Sequence, residues 1–243
     1  MHHYNLWVHF YLFSYHYICT HTMHYLLHID TSTDTGSVAI GGDGKLLAYR
    51  ANTETRNHAA TINILISEAL ADAHISLQQL SAIVVCAGPG SYTGLRIGLA
   101  TAKGLCYALD KPLLLDNRLT LLAYQVYRHN YKVASQFISL LTAREKEYFI
   151  SVYDNDFGCI LPPQHVMEEQ LNDLLEKKEN TAIITNSVGI INPLDYINLR
   201  MDTDTQINFD LWIFYAFEQY KRNNIVNLSS AEPFYLKQVY THK

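Results

Sequence analysis

The 243-residue chain has the composition of a globular protein with a mildly acidic charge. Hydrophobic residues make up 49% and charged residues 17%, proportions that exclude a disordered chain and allow one large domain or two small ones. Its 18 Lys and Arg against 23 Asp and Glu give a formal net charge of -5. Because a protein that binds RNA by itself usually presents a basic face, this balance argues against direct RNA binding.

The first 22 residues differ from the rest, since they hold no Lys, Arg, Asp or Glu but five His among many aromatics. A secretory signal needs a basic start and a small-residue cleavage site, and residues 1–22 have neither. The apolar run 6–18 is shorter than the roughly 20 residues of a membrane span. We therefore predict a non-native or unstructured extension at 1–22, a fold that begins at Met23, and no membrane partner.

The four cysteines, Cys19, Cys86, Cys106 and Cys159, form no C-x-x-C pair and none lies near a histidine at zinc spacing. Cys86 falls in an apolar strand and Cys106 in a helix, where cysteine acts as a small buried hydrophobe. Reduced thiols in a chain of this size are typical of the cytosol. The sequence thus predicts no metal site and a cytoplasmic protein.

From Met23 the pattern alternates between strands and helices. It predicts three strands (26–30, 37–40, 45–51), a helix (58–73), a strand (80–87), a helix (92–109), a strand (112–115) and a helix (119–129). Gly41-Gly42-Asp43-Gly44 between the second and third strands indicates a hairpin, because these residues tolerate positive φ. The continuous apolar run of 80–87 is typical of a parallel strand covered on both faces.

The second half begins with the same order. It predicts strands at 136–141, 148–153, 159–166 and 181–185, with helices at 168–178 and 209–221. We therefore predict an α/β protein of the two-lobed, actin-like ATPase architecture (ASKHA, RNase H-like). The first lobe, β-β-β-α-β-α-β-α, would span 23–130, and a reduced second lobe 131–243. In this group of proteins a nucleotide binds between the lobes.

One glycine-rich turn, Gly88-Pro89-Gly90-Ser91, follows a buried strand and opens a helix. Backbone amides at a helix N-terminus form an anion site when glycines allow close approach. No Gly-Lys-Ser/Thr occurs, so this is not a Walker loop. Gly88, Gly90 and Ser91 are therefore candidates either for a phosphate-facing site or for tight packing alone.

Three small residues, Gly94, Gly98 and Ala102, recur every fourth residue along the predicted helix 92–109. Such a stripe lets another element approach the helix closely. The element can belong to the same lobe or to another chain. We predict a partner interface at this stripe, with packing inside the lobe as the alternative.

The acidic turn Asp30-Thr31-Ser32 stands between the first two predicted strands. In a two-lobed kinase or ATPase, an acidic hairpin at this place faces the phosphate and its metal. Asp and Thr are also ordinary turn residues, so a purely structural role is the alternative. We predict that Asp30, Thr31 and Ser32 form a phosphate-facing or structural motif.

Taken together, these segments resemble the TsaB (YeaZ) family. The resemblance rests on residues 26–33, on the Gly-Pro-Gly-Ser-Tyr-Thr-Gly-Leu-Arg run within 88–98, on Lys103-Gly104 behind it, and on 231–236 near the C-terminus. Residues 141–148 are similar to the Asp-Ala-Arg segment of the family, but Thr142 stands where an aspartate is common. The role of the Thr142–Arg144 segment therefore stays open.

The resemblance implies an indirect function. The family is regarded as a catalytically silent relative of TsaD, the transferase that completes N6-threonylcarbamoyladenosine at position 37 of tRNAs reading ANN codons. It implies that this chain binds and activates a TsaD-like transferase through its first lobe. A TsaE-like ATPase would join the assembly, and tRNA would be reached only indirectly. We predict no cofactor, and the sequence leaves open whether a nucleotide binds and whether the isolated chain is a homodimer or a monomer.

TsaD-like enzymes hold a metal with a His-x-x-x-His pair, and two histidines at i and i+4 share one helix face. The matching positions here, flanked by Asn117 and Leu119, are Arg118 and Leu122, neither of which can bind a cation. The histidines that follow the first strand show no such pairing, and we predict a surface or helix-capping role for each: His58, His74, His129, His165 and His242.

The alternative function is a small ATP-binding kinase or ATPase of the same ASKHA group, which would use Asp30 and the glycine-rich turn. Its second lobe would need a glycine-rich adenosine loop, and residues 185–189 are the single candidate. A glycopeptidase would need a metal or a nucleophile constellation, and the sequence contains neither.

Overall fold

The computed structural model describes residues 22–52, 57–130, 132–175 and 179–235. Four predicted features lie outside these residues: the extension before Thr22, the end of the predicted helix 168–178, Leu236 and His242. The chain forms two five-stranded sheets with helices on both faces of each, which confirms the predicted two-lobed, actin-like α/β fold.

The first sheet has the strand order β3-β2-β1-β4-β5. Its first three strands are antiparallel neighbours, whereas β4 and β5 join in parallel. The strands are β1 Tyr25–Asp30, β2 Ser37–Gly42, β3 Lys45–Ala51, β4 Leu80–Cys86 and β5 Leu113–Asp116. The helices of this half are α1 His58–Asp72, α2 Tyr92–Leu109 and α3 Arg118–Asn130, so each predicted element is present within three residues of its predicted bounds.

The turn between β2 and β3 confirms the predicted hairpin. Asp43 and Gly44 both adopt positive φ, at 47° and 79°, and the Asp43 amide donates to the His24 carbonyl at 3.0 Å. Two consecutive residues of positive φ match the right-handed twist of the flanking strands, which explains why Asp-Gly is favoured here.

The second sheet has the order β10-β9-β6-β7-β8. Its elements are β6 Gln136–Arg144, β7 Glu147–Asp154, β8 Cys159–Met167, α4 Glu168–Leu174, β9 Thr181–Thr185 and β10 Arg200–Asp202, and α5 Phe209–Lys221 follows. Strand β10 was not predicted, because three residues without an apolar run give no periodic signal. Helix α4 ends at Leu174, earlier than predicted, since Leu175 has already left helical geometry with ψ 79°.

The layers meet at α3. Leu119, Leu122 and Val126 pack into the core of the second sheet, while Leu121 packs into the core of the first. Helices α1 and α2 cover one face of the first sheet. Because α3 contacts both sheets, it joins the two lobes into one packed body.

Helix α5 covers the other face of the first sheet, where Trp212 and Ala216 are fully buried. The chain after it stays with this sheet, since Val226 bridges to Leu113 and the Phe234 amide donates to the Ala87 carbonyl at 2.8 Å. We predicted that these residues belong to the second lobe. Their contacts are with the first sheet instead, because the large aromatic side chains of α5 find their apolar surface there.

Candidate functional site

The acidic turn lies at the carboxyl end of β1 and is buried. Asp30 is 6% exposed, and its Oδ1 accepts the Ser32 amide at 2.8 Å. An aspartate that accepts the amide two residues onward stabilises a turn without help from a ligand. This carboxylate is therefore already used in holding the shape of its own turn.

The glycine-rich turn lies beside it, at the carboxyl end of β4. Gly88 has φ +111°, a conformation that L side chains rarely adopt, and the Gly88–Pro89 peptide bond is cis. The Ser91 amide donates to the Ser32 carbonyl at 2.8 Å, and Ser91 Oγ caps α2 by accepting the Gly94 amide at 3.2 Å. Two amides that a phosphate would use at this helix N-terminus thus donate to oxygens of the chain itself.

Thr31 fills the groove along α2. Its Oγ1 donates to the Gly94 carbonyl at 2.8 Å, and it is fully buried. A Cβ added at Gly94 would overlap the Thr31 carbonyl oxygen, and one added at Gly98 would overlap Thr31 Oγ1. A Cβ at Gly90 would likewise overlap the carbonyl oxygen of Ser32. The three glycines therefore leave the space that the acidic turn occupies beside α2.

The prediction that the small-residue stripe is a partner interface must be corrected. Gly94 and Gly98 are buried under Thr31, and Ala102 is 0% exposed within the core of the first sheet. The alternative of packing inside the lobe is the arrangement found. A partner could reach these three residues only after the acidic turn or the sheet had moved away.

The positions that match the metal pair of TsaD-like enzymes lie at the start of α3. The Arg118 amide donates to the Gly88 carbonyl at 2.7 Å, and its Nη2 donates to the Thr205 carbonyl at 3.0 Å. Leu122 is fully buried in the core of the second sheet. Nearby, burial raises the pKa of the Cys86 thiol and so keeps it protonated. The site thus holds a guanidinium, an apolar side chain and a neutral thiol.

His58 corrects another prediction. It is 5% exposed, and Nε2 lies 2.9 Å from the Thr33 carbonyl, to which it donates. It also lies so close to Gly36 that a Cβ there would meet Nδ1 at 2.8 Å. His58 therefore fixes the acidic turn to α1 from inside. No sequence signal identified it, because its acceptor is a backbone carbonyl, which every residue carries.

The second-lobe counterpart of this site lies at the carboxyl ends of β6 and β9. The Thr142 amide donates to Asn186 Oδ1 at 2.8 Å, and Thr142 Oγ1 contacts Ser187 Oγ. The Ser187 amide in turn donates to Thr185 Oγ1 at 2.9 Å. The candidate adenosine loop and the Thr142 segment thus form one hydrogen-bonded group.

The C-terminal motif packs along α2. Arg96 Nε donates to the Tyr235 hydroxyl at 2.9 Å, and the same guanidinium lies over the Tyr92 ring, 4.1 Å from its centroid. Lys103 Nζ donates to the Ala231 carbonyl at 3.1 Å. The segments that carry the family resemblance therefore converge on this one helix, although they are far apart in the sequence.

The outer face of α2 and the adjoining face of α1 are exposed and hold few charges. Tyr107 is 85% exposed and Ile64 is 57% exposed. Ala100 is also exposed, and a Cβ added at Gly104 would meet nothing within 4 Å. We call this surface, formed by Ile64, Ala100, Gly104 and Tyr107, the outer α1/α2 face, and nothing in the described part of the chain covers it.

The described residues contain neither a metal cluster nor a membrane-spanning helix. No group of three or more His, Cys, Asp or Glu among these residues is arranged to hold a metal ion. Within the same part of the chain, every helix is too short or too polar to cross a membrane.

Comparison with known proteins gives related matches. The family model TsaD: tRNA N6-adenosine threonylcarbamoyltransferase matches residues 46–171. The tRNA threonylcarbamoyladenosine biosynthesis protein TsaB of Haemophilus influenzae is 27% identical over 90% of this chain and 95% of its own length. The structure of YeaZ from Pseudomonas aeruginosa covers 88% of this chain and all of its own, with 25% identity and a TM-score of 0.69.

The TsaB of Bacillus subtilis is 31% identical and aligns over 65% of this chain and 69% of its own length. Sequence identity at this level over most of a relative, joined with the shared fold, exceeds what a common architecture alone produces. The chain belongs to the TsaB (YeaZ) family.

Proposed function

We propose that the protein is a non-catalytic activating subunit for N6-threonylcarbamoyladenosine formation at position 37 of tRNAs reading ANN codons. It acts by forming a heterodimer with a TsaD-like transferase, and a TsaE-like ATPase joins that assembly. One observation carries the proposal: the acidic turn occupies the groove of the glycine-rich turn, where a nucleotide phosphate would otherwise lie.

The filled groove supports catalytic silence. A phosphate at the start of α2 would have to break the hydrogen bonds from the Ser91 amide to Ser32 and from Thr31 to Gly94. The bond from Thr31 is buried, and a buried polar group that loses its partner costs about 1–3 kcal/mol. Arg118 adds to this argument, because a permanent positive charge at the matching metal position repels a divalent cation.

The outer α1/α2 face supports the heterodimer. It combines an exposed aromatic residue, Tyr107, and an exposed aliphatic one, Ile64, with the exposed small residues Ala100 and Gly104, and the two helices that carry them contact each other. A smooth apolar surface with an aromatic anchor is what a partner helix needs for close packing. The same surface would support a homodimer when the partner is absent.

Gly104→Leu tests this interface. The substitution adds a side chain where the monomer has open space, so folding is preserved while a partner helix is pushed away. Gly189→Leu is the matched control, because Gly189 is also in open space but lies in the second lobe. We expect Gly104→Leu to abolish co-purification with the TsaD-like transferase and Gly189→Leu to leave it unchanged. Equal binding by both variants would contradict the proposed interface.

The activity test uses the chain alone and then with the transferase. Alone it should neither hydrolyse ATP nor modify tRNA, and its addition to the transferase should raise modification. Magnesium-dependent ATP hydrolysis by the chain alone, lost in Asp30→Ala, would instead establish the kinase or ATPase alternative.

The charge of the chain supports an indirect role for tRNA. A net charge of -5 opposes a polyanion, so the RNA is bound by the transferase. Filter binding of tRNA at near-physiological salt checks this, and low-micromolar affinity of the chain alone would contradict it.

The thiols Cys86, Cys106 and Cys159 are free, which supports our placement of the protein in the cytoplasm.

A further inference from the structure

A cleft opens at the junction of the lobes and runs along α3. It is lined by α3, by α5 and by the turn between β7 and β8, and its volume is about 590 Å³. Arg118, next to the glycine-rich turn, begins α3, and Arg128 lies ten residues further along the same helix. Ten residues of α-helix rise about 15 Å, so the Arg128 end of the cleft lies well away from that turn, whereas Thr120 lines its other end near the start of α3.

Aromatic rings form the walls of this cleft. Tyr124 contacts Tyr215 and Phe157 with ring centroids 5.0 and 5.2 Å apart, and Tyr153 stacks on Phe157 at 4.4 Å. Phe214 is 39% exposed at the opening. Clefts of this size at domain junctions are typical small-molecule sites, and this one combines aromatic walls with polar and charged side chains.

Two arginines give the cleft its charge. The Arg128 guanidinium lies 5.2 Å from the Phe214 centroid, and its Nη1 donates to the Tyr124 hydroxyl at 3.3 Å. Arg222 lines the same cleft and acts electrostatically on Tyr215. Over the described part of the chain, neither guanidinium is paired with a carboxylate, which leaves charge for an anion.

The two acidic residues of the cleft, Glu218 and Asp156, repel an anionic ligand only weakly at its arginine side. Glu218 is bound by Lys221 at 2.7 Å, an ion pair that offsets its charge. Asp156 is exposed in the turn between β7 and β8, on the other wall from α5. An anionic group therefore fits at the arginine side of the cleft.

We propose that this cleft binds a nucleoside monophosphate, with its base against the exposed ring of Phe214 and its phosphate held by Arg128 and Arg222. Flat bases stack on aromatic side chains, and arginine binds phosphate through paired donors. An aliphatic phosphate would use the arginines but leave the rings bare. The site is separate from the proposed activating function and needs no metal ion.

Calorimetric titration of the full chain with adenosine 5′-monophosphate, in EDTA, tests the site. We expect saturable binding with a stoichiometry of one. Arg222→Ala and Arg128→Ala should each weaken it at least tenfold, whereas Arg200→Ala, an exposed arginine on β10, should change it less than twofold. Adenosine without phosphate should bind the parent and Arg222→Ala alike, which separates loss of a phosphate contact from loss of fold.

Absence of saturable binding at millimolar nucleotide would overturn the proposal, as would equal affinity of the parent and Arg222→Ala. A third titration uses single-stranded oligoadenylate. Binding that tightens steadily with oligonucleotide length would also overturn it, because the cleft would then belong to an RNA surface. Neither result bears on whether Gly104→Leu disrupts the heterodimer, so the two proposals fail independently.

Discussion

Helices α2 and α5 cover opposite faces of the first sheet and are attached in opposite ways. Helix α2 comes close by having no side chain at Gly94 and Gly98, where Thr31 fills the space. Helix α5 is attached by a large side chain, because Trp212 is 1% exposed and its Nε1 donates to Asp116 Oδ2 at 2.7 Å. The attachment of α2 depends on the absence of side chains at its glycines, whereas the attachment of α5 depends on a buried hydrogen bond.

The difference matters for the function. Because α2 packs closely on the acidic turn, the groove in which the glycine-rich turn could have bound a phosphate is filled. Gly104, on the outer face of α2, is exposed. The attachment of α5 is made instead to Asp116, the last residue of β5. The family motif is therefore concentrated on α2, whose two faces carry small residues for two different reasons.

The largest effect should come from Gly94→Ala. Its Cβ would overlap the Thr31 carbonyl oxygen, a backbone atom that cannot rotate away. We expect a loss of more than about 3 kcal/mol in the free energy of unfolding, at the upper end for overpacked cores. Urea denaturation followed by circular dichroism measures it. A loss below about 1 kcal/mol would show that the acidic turn is easily displaced from α2.

The attachment of α2 was largely predictable, because its signals are local. Helical periodicity gave the bounds Tyr92–Leu109, and the glycine turn marked the start of the helix. What the sequence left undecided was the side to which Gly94 and Gly98 face, since close packing inside a lobe and between chains selects the same small residues. Thr31 decides the matter, and its proximity depends on the sheet that brings β1 beside β4.

The attachment of α5 was not predictable. Asp116 and Trp212 are 96 residues apart, and neither residue type indicates the other. The order of elements suggested that a helix near the C-terminus belongs to the second lobe. The burial of His58 was missed for a similar reason, because a backbone carbonyl at Thr33 leaves no trace in the side-chain pattern.

Asp116→Asn sharpens the comparison at α5. Burial raises the pKa of Asp116 from 3.8 to about 6, although the hydrogen bond from Trp212 opposes this. A carboxyl with a raised folded pKa contributes stability below pH 4, and that contribution is lost as the pH rises through about 6. Asparagine keeps an acceptor for Trp212 without the buried charge. We therefore expect the free energy of unfolding of the variant to exceed that of the parent by up to about 3 kcal/mol at pH 7.5.

The pH profile supplies the control for Asp116→Asn. The difference in unfolding free energy between variant and parent should shrink toward zero as the pH falls below 3.8, because the parent carboxyl is then protonated in both the folded and the unfolded state. Denaturation series at several pH values measure it. A difference that does not change with pH would show that the effect comes from packing and not from the buried charge.

Thr31→Val should have a smaller effect at α2. Valine keeps the shape of threonine but removes the hydroxyl that donates to Gly94, a hydrogen bond worth about 1 kcal/mol. Thr31→Ser retains the donor and is the matched variant. If Thr31→Val keeps the stability of the parent in urea denaturation while Thr31→Ser loses stability, the methyl contact with α2 matters and the hydrogen bond does not.

Gly104→Ala should have the smallest effect, and one of opposite sign. Gly104 lies in the same helix as Gly94, but a Cβ there meets nothing within 4 Å. Replacing glycine by alanine in an exposed helix interior stabilises it by about 0.5–1 kcal/mol, because the unfolded chain loses conformational freedom. The isolated chain should therefore unfold at a higher urea concentration. Since one methyl is small, binding of the transferase should weaken less than in Gly104→Leu. A loss of stability in Gly104→Ala would mean that the outer α1/α2 face is already occupied in solution, as it would be in a homodimer, and sedimentation at two concentrations would then detect that dimer.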